Sequence, residues 1–329
     1  MSTTLLLPII ALIIGLIILV WSSDIFIDGA ASTAKHFNIS PLIIGIVVLG
    51  FGTSMPEMLV STMAALDNSP GIAIGNAVGS NIVNIGLVLG VTALIAPILV
   101  KSSLLKRELP VLLLVSLIAY GLILDGTLSV TDGIILIILL IATLVWMIKV
   151  NKNIDPSDPL ADETLSEVNS MPTLSLRKGI LFLIIGLTIL ILSAKTMVWG
   201  AVEIAHAFGV PELIIGLTII AVGTSLPELA ASISAALKNE ADLVIGNIVG
   251  SNLFNILAVL AVPAILSPST LDRSILTVDF PVMLGFTAVM LLMALPYKGQ
   301  ALVNAPKGLL LSLAFVAYLG VLYVRTVTA

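Results

Sequence analysis

Of 329 residues, 59% are hydrophobic and only 10% are charged, the mean hydropathy is +1.21 and the formal net charge is −5. A water-soluble chain carries roughly a quarter charged residues, so that class is excluded; the absence of cysteine excludes disulfide frameworks and thiol chemistry. Apolar runs of about 20 residues recur along the whole chain, which is the pattern of an all-α polytopic membrane protein.

The predicted spans of the first half lie at 5–23, 41–66, 71–96, 108–124 and 130–150. The first follows Met1-Ser2-Thr3-Thr4 without a basic lead or a clear cleavage site, so it reads as a retained helix. The second carries Gly52-Thr53-Ser54-Met55-Pro56-Glu57, and the third carries Gly75, Asn76, Gly79, Ser80, Asn81 and Asn84. Next comes 151–176, the one long polar stretch, made acidic by Asp155, Asp158, Asp162, Glu163 and Glu167. It is too short to form a core and is predicted to be a flexible linker. The remaining spans lie at 178–199, 211–237, 241–266, 276–296 and 307–325. Pro41, Pro110 and Pro211 fall near span starts, where a missing N–H costs little.

The seventh and eighth spans copy the second and third. Residues 42–89 align without a gap to 213–260 at an offset of 171, and 25 of the 48 positions are identical. Glu57 and Glu228 fall at the same place in each copy. A carboxylate inside an apolar span is costly and by default marks a functional site. The chain thus divides into a first five-helix repeat (1–150), the linker (151–176) and a second five-helix repeat (177–329). About ten spans, five on each side of the linker, place the repeats in opposite orientations. That is the inverted-topology plan of many secondary transporters, whose site lies near the midplane. A channel can share it.

Lys and Arg set the orientation. With the linker in the cytoplasm, Lys35, Lys101, Lys106, Arg107, Lys149, Lys152, Arg177, Lys178, Lys238, Lys298 and Lys307 lie inside, and only Lys195, Arg273 and Arg325 lie outside. Both termini then face out, and the protein is expected in the plasma (inner) membrane.

The motif chemistry suits a hard cation. Pro56 has no N–H, so the carbonyl of Gly52 loses its helical partner and the helix is predicted to break there. Irregular backbone at membrane depth is tolerated only where protein or a watery cavity surrounds it. Thr53, Ser54 and Glu57 share a face, and Asn76, Ser80 and Asn84 form a stripe on the next helix. Thr224, Ser225 and Glu228, with Asn247, Ser251 and Asn255, repeat the device. Carboxylate, hydroxyl, amide and carbonyl oxygens without thiol or imidazole favour Na⁺, Ca²⁺ or Mg²⁺. Two glutamates balance one Ca²⁺ or two Na⁺, so one pocket can hold either cargo in turn.

These segments resemble the two α-repeats of the calcium/cation antiporter superfamily, and most of all its prokaryotic sodium/calcium exchangers. The GTS-x-PE and GN-x-x-GSN-x-x-N motifs carry the resemblance, and each occurs twice. The resemblance implies a cage of Thr53, Ser54, Glu57, Ser80 and Asn84 with Thr224, Ser225, Glu228, Ser251 and Asn255, completed by the backbone carbonyls of Gly50 and Ala221. It implies Ca²⁺ and Na⁺ as transported ligands and alternating access as the mechanism. Some relatives have Asp where this chain has Asn255, which bears on coupling and on proton transport. H⁺ or K⁺ stays open as a further substrate. No cofactor and no nucleic-acid partner are expected, and no protease or nucleophile motif points to an enzyme.

Blander roles compete. Gly75/Gly79 and Gly246/Gly250 are GxxxG packing motifs, and Ser, Thr or Asn can act as interhelical glue. No Lys or Arg lies inside either motif helix to make a structural ion pair with the glutamates. Asp24 and Lys195 hold equivalent positions near the ends of the first and sixth spans, where snorkelling is the expected role and gating the alternative.

Overall fold

In the computed structural model, residues 3–37, 50–101, 105–151, 159–294 and 301–328 are described. The apolar run from Leu5 starts helix α1 but does not bound it, for α1 spans Thr3–His36. Its repeat counterpart α8 spans Leu176–Phe208. At 1.5 Å per residue each is about 50 Å long, well beyond a hydrocarbon core of about 30 Å. The spans predicted at 5–23 and 178–199 therefore stop too early. Hydropathy falls at Ser22-Ser23-Asp24, yet both serines are fully buried and Ser22 Oγ donates to the Leu19 carbonyl at 3.0 Å, so the helix continues. Asp24 and Lys195 stand inside their helices rather than at the ends.

The two long helices pack antiparallel, as inversion requires. Gly29 lies against the backbone of Gly179 and Leu183, and Gly200 lies against Pro8 and Leu12 at the other end. A Cβ on Gly200 would come 2.6 Å from the Pro8 carbonyl oxygen, so only glycine allows this approach.

The motif segments form broken helices. α2 (Gly50–Thr53) and α3 (Met55–Leu66) meet at Ser54, which has φ −86° and ψ 4°. α9 (Glu212–Thr224) and α10 (Leu226–Leu237) meet at Ser225, with φ −85° and ψ 7°, and are bent by 41°. Pro56 and Pro227 begin the second piece of each pair, where their missing N–H is harmless. The helices that follow, α4 (Pro70–Ile95) and α11 (Ala241–Leu266), form the centre: 78% and 83% of their apolar windows are buried, against 28–39% for the other spanning helices. Each switches to a π turn in mid-course, at Asn84–Leu89 and Asn255–Val259. Such turns widen a helix and recur at functional sites.

Around this centre stand α5 (Leu105–Leu122), α6 (Val130–Asn151), α12 (Ile275–Ala294) and α13 (Ala305–Thr328). Ile134, Ile138, Ile141 and Val145 leave an exposed apolar stripe on α6, the face a lipid tail would cover. Among the described residues eight helices are long and apolar enough to cross a membrane, and the α9–α10 pair makes nine if counted as one bent span. Of the predicted span 41–66, residues 41–49 lie outside the described residues. The chain is a multi-pass, nearly all-helical membrane protein.

Two small ribbons join the halves. β1 (Ile98–Val100) pairs antiparallel with β4 (Ala301–Val303), and β2 (Thr127–Leu128) with β3 (Ser269–Thr270). Ile98 and Ser269, which open β1 and β3, are 171 apart like the two glutamates, so one strand of each ribbon follows the repeat.

The linker is not simply flexible. Pro159–Ser170 forms helix α7, with Leu160, Ala161, Thr164 and Val168 buried along one face. Its acids are used structurally: Glu163 Oε2 accepts the Leu243 N–H at 2.7 Å in the first turn of α11, and Glu167 pairs with Lys238 at 3.2 Å. A carboxylate at a helix N-terminus is well placed electrostatically. Burial nevertheless outweighs that N–H and pushes the Glu163 carboxyl up to about 7. An amphipathic pattern of only 12 residues among five acids hid this helix.

Candidate functional site

The serine breaks, the two central helices and the antiparallel packing bring the motif residues into one buried cluster. Glu57 and Glu228 are both 0% exposed, at the first turns of α3 and α10. Helix starts are where a carboxylate sits best, because free N–H groups point toward it.

The cluster is cross-wired between repeats. Ser225 Oγ, from the second repeat, donates to Glu57 Oε1 at 3.5 Å, and Thr224 sits beside the same carboxylate. Thr53, from the first repeat, sits beside Glu228, while Ser251 Oγ donates to Glu228 Oε1 at 2.9 Å. Ser54 and Ser251 hydroxyls meet at 2.9 Å. Asn84 Nδ2 donates to Ser251 Oγ at 3.3 Å and to Asn252 Oδ1 at 3.0 Å.

Asn76 holds the frame. Its Nδ2 donates to the Glu57 carbonyl at 3.1 Å and to Ser61 Oγ at 2.9 Å. Its Oδ1 accepts from Thr224 Oγ1 at 3.1 Å and from Ser80 Oγ at 3.4 Å. One amide thus ties α3, α4 and α9 together, and its capacity is filled. Asn247, its repeat partner, is only half buried and reaches Ser232 Oγ at 3.5 Å. The two stripes are therefore not used identically.

Several buried atoms are left over. Glu57 Oε2, Glu228 Oε2, Thr53 Oγ1, Asn84 Oδ1 and both amide atoms of Asn255 have no hydrogen-bond partner among the described residues. A buried polar atom without a partner costs about 1–3 kcal/mol, and more if charged. Here the leftover atoms come from both repeats, and five of the six are oxygens. Among the described residues no cluster of three or more His, Cys, Asp or Glu exists, so a transition-metal centre is not indicated. Two carboxylates among hydroxyl and amide oxygens form instead a donor set for a hard cation.

Backbone carbonyls depart in part from the sequence reading. The proline-freed Gly52 carbonyl is met by Ser23 Oγ of α1 at 3.5 Å. The Ala221 carbonyl keeps its helical bond from Ser225 N at 3.1 Å and has Thr224 Oγ1 at 3.4 Å. Gly50, the other carbonyl in the implied cage, opens α2. The GxxxG glycines also diverge. Gly75 and Gly79 press on the backbone of Leu213 and Leu217, whereas a Cβ on Gly246 would meet only the Leu160 side chain among the described residues.

The sequence reading did not single out Asp279, a fully buried acid in α12. It accepts hydrogen bonds from Arg325 Nη1 at 2.8 Å and from Tyr318 OH at 2.9 Å. The signal was a lone acid in an apolar span. Its arginine partner makes it a structural pair rather than a second cation site.

The profile described as "Sodium/calcium exchanger protein" matches residues 7–149 and 178–324, most of the chain. The chain belongs to the sodium/calcium exchanger family. Membership makes it a cation antiporter rather than an enzyme, with calcium among the family's cargo. Relatives match it over nearly their whole length. A "putative antiporter CaxA" of Alkalimonas amylolytica is 44% identical over 94% of this chain and 96% of its own. An "inner membrane protein YrbG" of Escherichia coli is 39% identical over 95% of each. The solved structure of the sodium-calcium exchanger NCX_Mj, soaked with Na⁺ and Sr²⁺, superposes with a TM-score of 0.66 at 34% identity, covering 96% of this chain and 98% of that one.

Proposed function

We propose that this exchanger trades Ca²⁺ for Na⁺ by alternating access at the buried cluster. The observation that carries the reading is the pair of fully buried glutamates, one from each repeat, each with an unpartnered oxygen. Ca²⁺ takes about 6–8 oxygens, and Thr53, Ser54, Glu57, Ser80, Asn84, Thr224, Ser225, Glu228, Ser251 and Asn255 supply that number with spare capacity. Two carboxylates cancel either one Ca²⁺ or two Na⁺, so occupancy by one cargo excludes the other. The carbonyls of Gly50 and Ala221 are the less favoured members, since the Ala221 oxygen is already engaged.

The lysine and arginine bias supports ten spans with the linker in the cytoplasm and both termini outside. The test is radioactive Ca²⁺ flux in proteoliposomes under separately imposed Na⁺, K⁺ and pH gradients. Flux should follow the Na⁺ gradient, and Ca²⁺ movement indifferent to Na⁺ would overturn the reading.

A second reading, Ca²⁺/H⁺ exchange, is favoured by one observation: among the described residues no basic side chain pairs with either glutamate, so a proton could replace a cation there. Flux driven by pH without Na⁺ would select it. Asn255 bears on the same choice. Asn255→Asp adds a third carboxylate beside fully buried groups, and it should make flux more pH-dependent and change the Na⁺:Ca²⁺ ratio. Reversal potentials across pH check this, and an unchanged ratio and pH profile would show that position 255 plays no part in coupling.

A further inference from the structure

A cavity of about 550 Å³ runs from the linker helix α7 to the buried cluster. Leu160 and Thr164 of α7 and Thr53 of the cluster all line it. Asp24 and Asp28 of α1, one helical turn apart, line it too, and no Lys or Arg is among the lining residues described. Of the other two acids there, Glu167 is paired with Lys238, and Glu108 is buried and engaged. The base that acts on Asp28 is Lys35, whose ammonium donates to the Met171 carbonyl at 3.3 Å.

Two acids alone would be only a solvated face. The second observation is Thr53, 7% exposed, which lines the cavity beside Glu228 and whose hydroxyl meets no hydrogen-bond partner in bonding geometry among the described residues. An unpartnered oxygen thus marks where the acidic passage meets the cluster.

The repeat supplies a built-in control. Asp24 and Asp28 correspond to Lys195 and Trp199 at the offset of 171. Those two residues line a different cleft, with Asp67 and Asn68. Because α1 and α8 are antiparallel, Asp24 lies in the linker-side half of the pair and Lys195 in the opposite half. Duplication therefore preserved the cluster but not the flanks of α1 and α8: one carries two acids, the other a lysine in a cleft with one acid.

We propose that Asp24 and Asp28 form a recruiting site for cations on the linker side, which makes capture of Ca²⁺ from that side tighter than from the other. The proposal rests on the buried glutamates being the transport site. A passage walled by low-dielectric protein focuses the field of its charges and raises local counter-ion concentration and on-rate. The equivalent positions of α8, Lys195 and Trp199, carry no acid pair. With the linker in the cytoplasm, this asymmetry favours export of calcium.

The chain has no cysteine, so Ser166→Cys, on the exposed face of α7, gives a unique handle for the linker side. An impermeant biotin reagent then removes proteoliposomes whose linker faces out, leaving one orientation. The KM for Ca²⁺ is measured from each side at low and high choline chloride. In Asp24→Asn/Asp28→Asn the linker-side KM should rise about threefold or more, while the opposite-side KM and the maximal rate stay as they were. Asp24→Glu/Asp28→Glu should keep the linker-side KM. Should the Asn pair fail to fold, the unsubstituted exchanger still decides: its linker-side KM should rise with salt more steeply than its opposite-side KM. Equal salt dependence on both sides, or an equal KM change on both sides, overturns the recruiting site. Glu57→Gln in the same vesicles separates the two ideas, because normal flux there would sink the transport site itself.

Discussion

Replacing either Glu57 or Glu228 by Gln is expected to abolish Ca²⁺ transport while leaving the protein folded. Gln keeps the shape and can still accept the Ser225 or Ser251 hydroxyl through its carbonyl oxygen. What it removes is one of the two fully buried charges that, on the proposed reading, offset a divalent cation. Truncating one partner of a buried charge pair costs about 2–5 kcal/mol. Even about 3 kcal/mol weakens binding more than 100-fold. Flux should therefore fall by at least about 100-fold in each single variant.

Stability should move the other way. Each glutamate is a buried carboxylate without a basic partner among the described residues, and a neutral amide avoids the cost of desolvating that charge. The variants should melt no lower than the parent in detergent, but Ca²⁺ should no longer raise their melting temperature as ligand linkage requires of the parent. Flux within a few-fold of the parent in both single variants would end the shared-site account. A lowered melting temperature with residual Ca²⁺ stabilisation would assign the glutamates a packing role.

Why the cluster was legible and its surroundings were not follows from what sequence encodes directly. The GTS-x-PE break is a local event: proline removes an N–H at a fixed place, and Ser54 and Ser225 take nearly the same backbone angles in both copies. The fully buried carboxylates were readable because charge in an apolar run is rare. The ends of α1 and α8 were not readable, because hydropathy cannot tell a polar residue facing water from one buried between helices, as Ser22 and Ser23 are. Helix α7 escaped for the opposite reason: its apolar face is narrow and its acids dominate the composition, yet Glu163 and Glu167 are anchored to α11 and Lys238. The unequal fates of Asn76 and Asn247 were invisible, since identical motifs meet different neighbours once the halves close on each other.

The second large effect should come from outside the cluster. Asp279 is 0% exposed in α12, and the Arg325 guanidinium of α13 bonds its Oδ1 at 2.8 Å while also reaching Ser274 Oγ. Arg325→Ala leaves that carboxylate buried with only the Tyr318 hydroxyl at 2.9 Å. Breaking a buried ion pair from one side costs about 3–5 kcal/mol, and the lower end applies because the arginine head is itself a quarter exposed. Removing the charge as well should restore most of the loss, since neutralising both members of a buried pair is often close to neutral. Thus Arg325→Ala should lower the melting temperature sharply, and Arg325→Ala/Asp279→Asn should recover most of it, a coupling that a double-mutant cycle isolates. Ca²⁺ affinity in the rescued protein should match the parent, because the hydrogen-bond partners of the pair, Tyr318 and Ser274, are not residues of the proposed site. If the double variant is as unstable as Arg325→Ala alone, lost packing of the arginine stem rather than an orphaned carboxylate governs this helix pair. If it is stable but binds Ca²⁺ poorly, Asp279 belongs to the transport machinery after all.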